Sequence, residues 1–208
     1  GLAHSKSVSE IHVAPGNAGT SLIGTNHPVS ASDIQGITKL AVEIEANLVV
    51  IGPEAPLVAG LADELRSMGI PCFGPGASGA MIEGSKQYAK KIMSELGIPT
   101  AKSVMVLNTD QVLEALHSMG PPWVIKRDGL AAGKGVTVTS DIEEAEYAAS
   151  SAIGKDDSVL IESFLEGEEA SLLVLMDESD FAVLPASQDH KRLNDGDNGP
   201  NTGGMGAY

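Results

Sequence analysis

The stretch Trp123-Val-Ile-Lys-Arg-Asp-Gly-Leu-Ala-Ala-Gly-Lys-Gly-Val-Thr-Val138 decides how the rest of the chain is interpreted. Residues 123–126 predict a short buried strand that ends in a lysine, and residues 136–139 predict its return strand, because β-branched residues favour strands. Small residues between them allow the backbone to approach a ligand closely. Free backbone N–H groups beside two ammonium groups suit an oligophosphate.

Two competing interpretations differ in what these glycines do. A P-loop would need four residues between its glycines, followed by Lys-Ser or Lys-Thr. Three residues lie between Gly129 and Gly133, and Gly135 follows Lys134, so the hydroxyl that a P-loop offers to magnesium is missing. The spacing therefore excludes a P-loop. A glycine-rich hairpin with two exposed lysines and no ligand stays open as the alternative.

A second segment downstream also suits a nucleotide. Residues 159–162 form an apolar run that ends in Glu162, and a short linker separates them from another apolar run that begins at Ala170. The backbone of such a linker can hydrogen-bond to adenine, and a carboxylate can accept hydrogen bonds from ribose hydroxyls. Together, the two segments indicate a nucleotide site.

Six stretches of the chain are similar to one protein family. They closely resemble the ATP-grasp ligases and, among them, the glycinamide ribonucleotide synthetases (phosphoribosylamine–glycine ligases). Because the six occur in the family's order across nearly all 208 residues, the resemblance is specific. The stretches are Ala14-Pro-Gly-Asn17-Ala-Gly-Thr20, Gly52-Pro-Glu54-Ala-Pro-Leu57, Glu83-Gly-Ser-Lys86, and residues 126–136, 162–171 and 188–206.

The order of the predicted elements fits two domains of α/β class. In residues 1–84, apolar strands alternate with amphipathic helices. The resemblance implies a doubly wound parallel-sheet domain there that lacks its first strand. It implies an incomplete ATP-grasp α+β domain over residues 85–208, with a small lid at about 103–167. The predicted strands of the first domain are 10–14, 48–51 and 72–74, and its predicted helices are 33–46 and 57–68.

The second domain has further predicted elements. Thr109 and Asp110 are cap candidates for one helix, and Ser140-Asp141 caps another. Residues 187–206 are polar and rich in glycine, without periodicity, and predict a stretch with no regular structure, which is either a functional loop or a disordered tail. The expected helices are 85–96, 109–119 and the one that follows Asp141, and the expected strands are 101–107, 170–176 and 181–184.

The resemblance implies ATP as the nucleotide. In the family's reaction, the carboxylate of glycine attacks the γ-phosphate of ATP, and the amine of 5-phosphoribosylamine then displaces phosphate to form an amide. The matching positions are Lys86 and Lys126 for the phosphates, Gly129, Gly133, Lys134 and Gly135 for the flexible cover, Glu162 and Leu165 for adenine, and Glu169 for the ribose.

The resemblance also implies contacts with the two small-molecule substrates, glycine and 5-phosphoribosylamine. Lys126, Lys191 and Arg192 match positions near the reacting groups and are the implied catalytic residues. From the residues alone, Glu54 fits a substrate contact and an anchor for its own turn equally well. The implied substrate contacts are Asn17, Glu54, Asp189, Lys191, Gly203 and Gly204.

Magnesium or manganese is the implied counter-ion of ATP. The family's acid and asparagine ligands lie C-terminal to the matched segment, so we expect them beyond Tyr208 and predict no metal ligand in this chain. The 208 residues alone are accordingly expected to be poorly active or inactive. Two alternatives stay open: another ATP-grasp carboxylate–amine ligase or carboxylase, and a nucleotide-binding fragment without catalysis.

The composition argues against several other kinds of partner. With 28 acidic and 13 basic residues, the net charge of −15 argues against a general nucleic-acid surface. No apolar run reaches the length of a transmembrane helix and no signal-peptide core lies near the start, so we expect a cytoplasmic protein with no membrane partner. The single cysteine, Cys72, excludes an internal disulfide and is expected to be a buried apolar residue. Oligomeric state is left undefined.

Overall fold

The computed structural model describes residues 2–130, 135–196 and 198–207. The chain divides into two compact units, Gly1–Ala89 and Lys90–Tyr208. Both mix helices with strands, which confirms the α/β class. Within the described residues, no helix is both long enough and apolar enough to cross a bilayer.

The described residues of the first unit form two separate parallel strand pairs and four complete α-helices. Strand β1 pairs with β2, and β3 pairs with β4. Each strand is two residues long, so the helices and loops form most of this unit. The elements are β1 (His12–Val13), β2 (Thr25–Asn26), α1 (Ile34–Glu43), β3 (Val49–Val50), α2 (Glu54–Val58), α3 (Leu61–Ser67), β4 (Cys72–Phe73) and α4 (Ala77–Gly84).

Helix α1 forms where its sequence predicts it. The side chain of Asp33 accepts a hydrogen bond of 2.9 Å from the N–H of Gly36, which satisfies one of the unpaired donors of the first turn. Ile34, Ile37 and Ala41 share one face and pack into the core of this unit. The fully buried members of that core are Ala41, Ile51, Leu61, Ala62 and Leu65.

Three details of this unit differ from the predictions. The expected helix 57–68 is two helices, because Gly60 between them adopts a left-handed φ of +91° that breaks the helical backbone. Helix α4 was not predicted, since its small residues and two glycines carry little periodicity. Cys72 is partly rather than fully buried, and its burial raises the pKa of the thiol.

The second unit is built on a four-stranded antiparallel sheet. Its strand order is β5-β8-β6-β7, and helices α6 and α7 pack against it. The indole N–H of Trp123 donates to the carbonyl of Leu116 at 2.8 Å inside the core. The elements up to the sheet's last strand are α5 (Lys86–Glu95, which begins in the first unit), β5 (Ser103–Val106), α6 (Val112–Met119), β6 (Trp123–Arg127), β7 (Val136–Thr139), α7 (Ile142–Asp156) and β8 (Val159–Ser163).

The glycine-rich stretch joins two strands of this sheet as predicted. Strand β6 pairs antiparallel with β7, from Trp123 opposite Thr139 to Lys126 opposite Val136. Asp141 caps α7, because its carboxylate accepts hydrogen bonds from the N–H groups of Glu143 and Glu144 at 2.8 and 3.2 Å. The sequence therefore predicted this half of the sheet with its covering helix.

The start of α6 differs from the prediction. A 3-10 turn, Thr109–Gln111, precedes the helix, and neither Asn108 nor Gln111 makes a side-chain cap hydrogen bond. Thr109 and Asp110 lie inside that turn, so neither of them is the cap residue. The prediction of a capped helix that starts at residue 109 was wrong in this respect.

Two hairpins complete the second unit. Strands β9 (Val174–Met176) and β10 (Phe181–Val183) form the predicted antiparallel pair. Strands β11 (Asp189–Asn194) and β12 (Asn198–Ala207) form a second, irregular hairpin where a loop was predicted. Asp195-Gly196 lies at its turn, and Gly196 has a φ of +73°. An Asp-Gly pair is a hairpin signal, but the glycine-rich flanks carry no alternation to support it.

The turn between β9 and β10 depends on one carboxylate. Oδ1 of Asp177 accepts hydrogen bonds from the N–H groups of Ser179 and Asp180, both at 2.8 Å. These backbone donors lower the pKa of Asp177 from its ordinary 3.8. A lowered pKa means that the carboxylate stabilises the folded turn above pH 3.8 and loses that effect as the pH falls through the folded value.

We expect acid to release this turn within a narrow pH window. Amide exchange at Ser179 and Asp180 should show constant protection from pH 7 to about pH 5 and lose protection below the ordinary pKa of aspartate. An Asp177→Asn variant should lack this pH dependence. Loss of protection that begins above pH 5 in the wild-type chain, or that persists in Asp177→Asn, would contradict the assignment.

Candidate functional site

Lys126 and Glu162 come together on one face of the central sheet. Glu162 on β8 lies opposite Val124, and Lys126 is two residues further along β6, so the two side chains are diagonal neighbours. The ammonium of Lys126 forms an ion pair with Oε2 of Glu162. The Glu162 side chain is 4% exposed and that of Lys126 is 31% exposed. The carboxylate is therefore internal, whereas the ammonium reaches the surface.

A second lysine, Lys90 on α5, holds the other oxygen of the same carboxylate. Its ammonium lies 2.5 Å from Oε1 of Glu162. It also donates to Oγ1 of Thr100 at 2.7 Å and to the carbonyl of Ala101 at 2.9 Å. Sequence reasoning missed Lys90, because lysines on a predicted helix are usually only solvated. The available signal was that Lys90 follows Lys86 by four residues, so that the two lysines lie on the same face of the predicted helix.

The three side chains carry a local excess of one positive charge. A buried carboxylate is tolerated only when it is paired, and here each oxygen has its own ammonium partner. Lys90 is 16% exposed and its ammonium has three acceptors. Lys126, being the more exposed cation, is the group that an incoming anion can reach.

The linker that follows Glu162 offers backbone donors beside this cluster. The N–H of Ser163 donates to the carbonyl of Lys102 at 2.9 Å, and that of Phe164 donates to Pro122 at 3.4 Å. The N–H of Leu165 makes no hydrogen bond to any residue that the structure describes. The side chains of Phe164 and Leu165 are 43% and 66% exposed. A flat ring with acceptor atoms could bind here, with apolar contact and a free donor.

Glu169 and Lys191, which were predicted for different ligands, form an exposed ion pair of 2.9 Å. The carbonyl of Lys191 accepts a hydrogen bond from Thr202 at 2.9 Å, which ties β11 to β12. The other residues predicted for substrate in this part of the chain lie on the same hairpin. They are Asp189 and Arg192 on β11, and Gly203 and Gly204 on β12.

The predicted glycine-rich cover is only partly described. Gly129 has a left-handed φ of +77°, and the carbonyl of Gly135 accepts a hydrogen bond of 2.9 Å from the N–H of Arg127. Gly133 and Lys134 lie outside the described residues, so their predicted roles stay predictions.

In the first unit, Asn17 stabilises its own turn. Its Oδ1 accepts from the N–H groups of Gly19 and Thr20 at 2.8 and 3.0 Å, and its carbonyl accepts from Asn26 at 2.7 Å. Glu54 is the exposed first residue of α2. Lys86, which was predicted to contact phosphate, is the first residue of α5 and belongs to this unit.

The arrangement does not offer a ready metal site. Among the residues that the structure describes, no group of three or more histidine, cysteine, aspartate or glutamate side chains could hold a metal ion. Both oxygens of the buried Glu162 are already paired with lysines. The described residues thus provide cations and backbone donors, which suit a polyanion.

Two family descriptions match the chain end to end. Residues 1–83 match "Phosphoribosylglycinamide synthetase, N domain", and residues 84–208 match "Phosphoribosylglycinamide synthetase, ATP-grasp (A) domain". The second match contains the whole Lys90–Glu162–Lys126 cluster and the linker beside it.

Curated relatives and solved structures agree with these two family matches. A phosphoribosylamine–glycine ligase of Streptomyces coelicolor is 50% identical over 97% of this chain and 47% of its own length, and one of Xylella fastidiosa is 49% identical over 100% and 50%. The crystal structure of the Thermotoga maritima ligase matches with a TM-score of 0.79 at 36% identity, over 99% of this chain and 51% of that one. An ADP complex of N5-carboxyaminoimidazole ribonucleotide synthetase shares the fold, with a TM-score of 0.72 at 22% identity over 90% and 50%. The chain spans about half the length of the curated relatives it matches.

Proposed function

The chain belongs to the phosphoribosylglycinamide synthetase family, and on that premise we propose that the protein joins glycine to 5-phosphoribosylamine in a reaction driven by ATP. The observation that carries the proposal is the buried Glu162 with its two lysines, next to a linker with an open backbone donor. The proposed products are glycinamide ribonucleotide, ADP and phosphate, and the proposed role is in purine biosynthesis in the cytoplasm.

We propose that ATP binds along the Lys126–Glu162 face of the sheet. The partly exposed ammonium of Lys126 contacts the phosphates, and the linker after Glu162 contacts adenine through the N–H of Leu165. Glu169 contacts the ribose. The stretch from Gly129 to Gly135, with Gly133 and Lys134, completes the proposed phosphate contacts of the second unit. Lys86 is a proposed phosphate contact of the first unit. The local positive excess of the cluster supports binding of a polyphosphate despite the chain's net charge of −15.

The proposed reaction has two steps. A carboxylate oxygen of glycine attacks the γ-phosphorus, the bond to the bridging oxygen breaks, and ADP leaves with that electron pair. The amine of 5-phosphoribosylamine then attacks the glycyl phosphate carbon, phosphate leaves, and the amine loses a proton. In both steps, negative charge develops on phosphate oxygens, so positioned cations lower the barrier. Lys126, Lys191 and Arg192 are the proposed cations.

We propose substrate contacts in each unit, taken by itself. Asn17 and Glu54 are the proposed contacts in the first unit, and Asp189, Lys191, Gly203 and Gly204 are those in the second. The Asn17 carboxamide oxygen already accepts two backbone hydrogen bonds. We therefore propose that the Asn17 side chain shapes this turn and that the backbone of the turn contacts the substrate.

Magnesium or manganese is the proposed counter-ion of ATP. The described residues do not offer a set of ligands for this ion. They include no cluster of three candidate side chains, and both oxygens of Glu162 are paired with lysines. We therefore assign the metal no step and no residue here.

The test is ADP release by two proteins: the 208-residue chain, and the same chain continued by the second half of the Streptomyces coelicolor ligase. We expect the chimera to release ADP when glycine and 5-phosphoribosylamine are both present, and to form glycinamide ribonucleotide in equal amount by mass spectrometry. Release with bicarbonate in place of glycine would indicate a carboxylase instead. ATP binding by both proteins without any release would indicate a nucleotide-binding role.

A further inference from the structure

The ammonium of Lys90 stands out because all its donors are used inside the second unit. It donates to Oε1 of Glu162, Oγ1 of Thr100 and the carbonyl of Ala101, at 2.5, 2.7 and 2.9 Å. We propose that Lys90 is a positioning residue, which sets the place of the Lys126 ammonium by holding the carboxylate between them. This inference rests on one part of the proposed function, namely that Lys126 contacts phosphate.

The two ammonium groups fix the orientation of the Glu162 carboxylate. Each oxygen of Glu162 has one ammonium partner, Lys90 on Oε1 and Lys126 on Oε2. Without Lys90, Oε1 would be buried without a charged donor, which costs free energy. The carboxylate would then turn to share both oxygens with Lys126, and Lys126 would move with it.

Lys90 is itself held in place by two further acceptors. Thr100 and Ala101 lead into β5, and β5 pairs with β8 so that Ser103 lies opposite Glu162. Lys90 therefore ties the carboxylate to the strand beside it, through one backbone and one hydroxyl acceptor. A flexible lysine with a single partner could not fix another group in this way, since its side-chain entropy opposes a single geometry.

The neighbouring residue provides a matched control. Lys91 lies on the same helix but is 68% exposed, and it pairs with Glu95 at 3.9 Å across one helical turn. Replacing Lys91 by methionine removes the same charge from the same helix without touching Glu162. General effects of net charge or of helix propensity appear in both variants, whereas an effect on Lys126 is expected from Lys90 alone.

The experiment uses the 208-residue chain and three variants: Lys90→Met, Thr100→Val and Lys91→Met. The first readout is the side-chain ammonium resonance of Lys126 in nitrogen-15 NMR, with its rate of proton exchange with water, measured without nucleotide. The second is the affinity for ATP and for adenosine by calorimetry. Adenosine lacks phosphates and so reports the linker contact without the Lys126 contact.

We expect Lys90→Met to shift the Lys126 resonance and change its exchange rate, and to weaken ATP binding about tenfold while adenosine affinity changes less than about twofold. Thr100→Val keeps every charge and should act in the same direction with a smaller effect. This variant tests the inference if Lys90→Met does not fold. Lys91→Met should match the wild type in both readouts.

An unchanged Lys126 resonance in folded Lys90→Met or Thr100→Val would overturn the inference, as would an equal loss of ATP and adenosine affinity. The proposed function is tested separately by the wild-type chain. If that chain does not bind ATP but its Lys126 resonance depends on Lys90, the positioning role holds and the nucleotide site is wrong. If ATP binds and the Lys126 resonance does not respond to the replacement of Lys90, the nucleotide site holds and the positioning role is wrong.

Discussion

Replacing Glu162 by glutamine is expected to lower the free energy of unfolding of the second unit by about 3 kcal/mol. The glutamine has nearly the same shape but no charge, so Lys90 and Lys126 would remain close together without the buried carboxylate that pairs them. Without the negative charge between them the two ammonium groups repel, and Lys90, whose side chain is 16% exposed, has little access to water that could screen its charge.

The fluorescence of Trp123 measures this effect directly. It is the chain's single tryptophan, and it is 4% exposed on β6, the strand that also carries Lys126. A urea titration that follows this signal reports the unfolding of the second unit. Glu146→Gln, on the exposed side of α7, is the control and should change stability by less than about 0.5 kcal/mol. Equal midpoints for the two variants would contradict the pairing.

Replacing Lys126 by methionine is expected to separate binding from stability. The Lys126 side chain is 31% exposed, and Glu162 keeps Lys90 as a partner, so the loss of unfolding free energy should stay below about 1.5 kcal/mol. ATP affinity should nevertheless fall by a factor on the order of 10 to 100, because a charge-assisted contact with phosphate is lost.

Calorimetry with ATP, adenosine and inorganic tripolyphosphate tests this prediction. Lys126→Met should weaken ATP and tripolyphosphate alike and leave adenosine nearly unchanged. Lys39→Met, an exposed residue of the first unit that pairs with Glu43, is the control for the loss of one positive charge. A variant that loses adenosine affinity as strongly as ATP affinity would place Lys126 beside the base, and the proposed orientation of the nucleotide would be wrong.

Part of this site could be read from the sequence alone. The strand pair around the glycine-rich stretch, the cap at Asp141 and the strand that ends in Glu162 all follow from local signals: β-branched runs, a capping side chain and an apolar run. These signals operate within a few residues. They place Lys126 and Glu162 at strand ends without showing that the two strands are neighbours.

The remainder depends on tertiary pairing. Lys90 is one of three lysines on a helix, and nothing local distinguishes the lysine that meets a buried carboxylate from Lys91, which meets Glu95. The hairpin of β11 and β12 also could not be predicted from local signals. Its glycines remove the alternation that identifies strands, and its pairing has three register shifts. In the first unit, the effect of Gly60 depends on its left-handed φ, which a glycine permits but does not require.

Binding of ATP beside Lys126 can be observed in a titration of the wild-type chain with ATP while the lysine ammonium resonances are followed by NMR. We expect the Lys126 resonance to move and to saturate with ATP, because its contact passes from Glu162 toward phosphate, while the Lys91 resonance stays in place. Resonances that do not respond to millimolar ATP in a folded sample, or a response at Lys91 equal to that at Lys126, would contradict it.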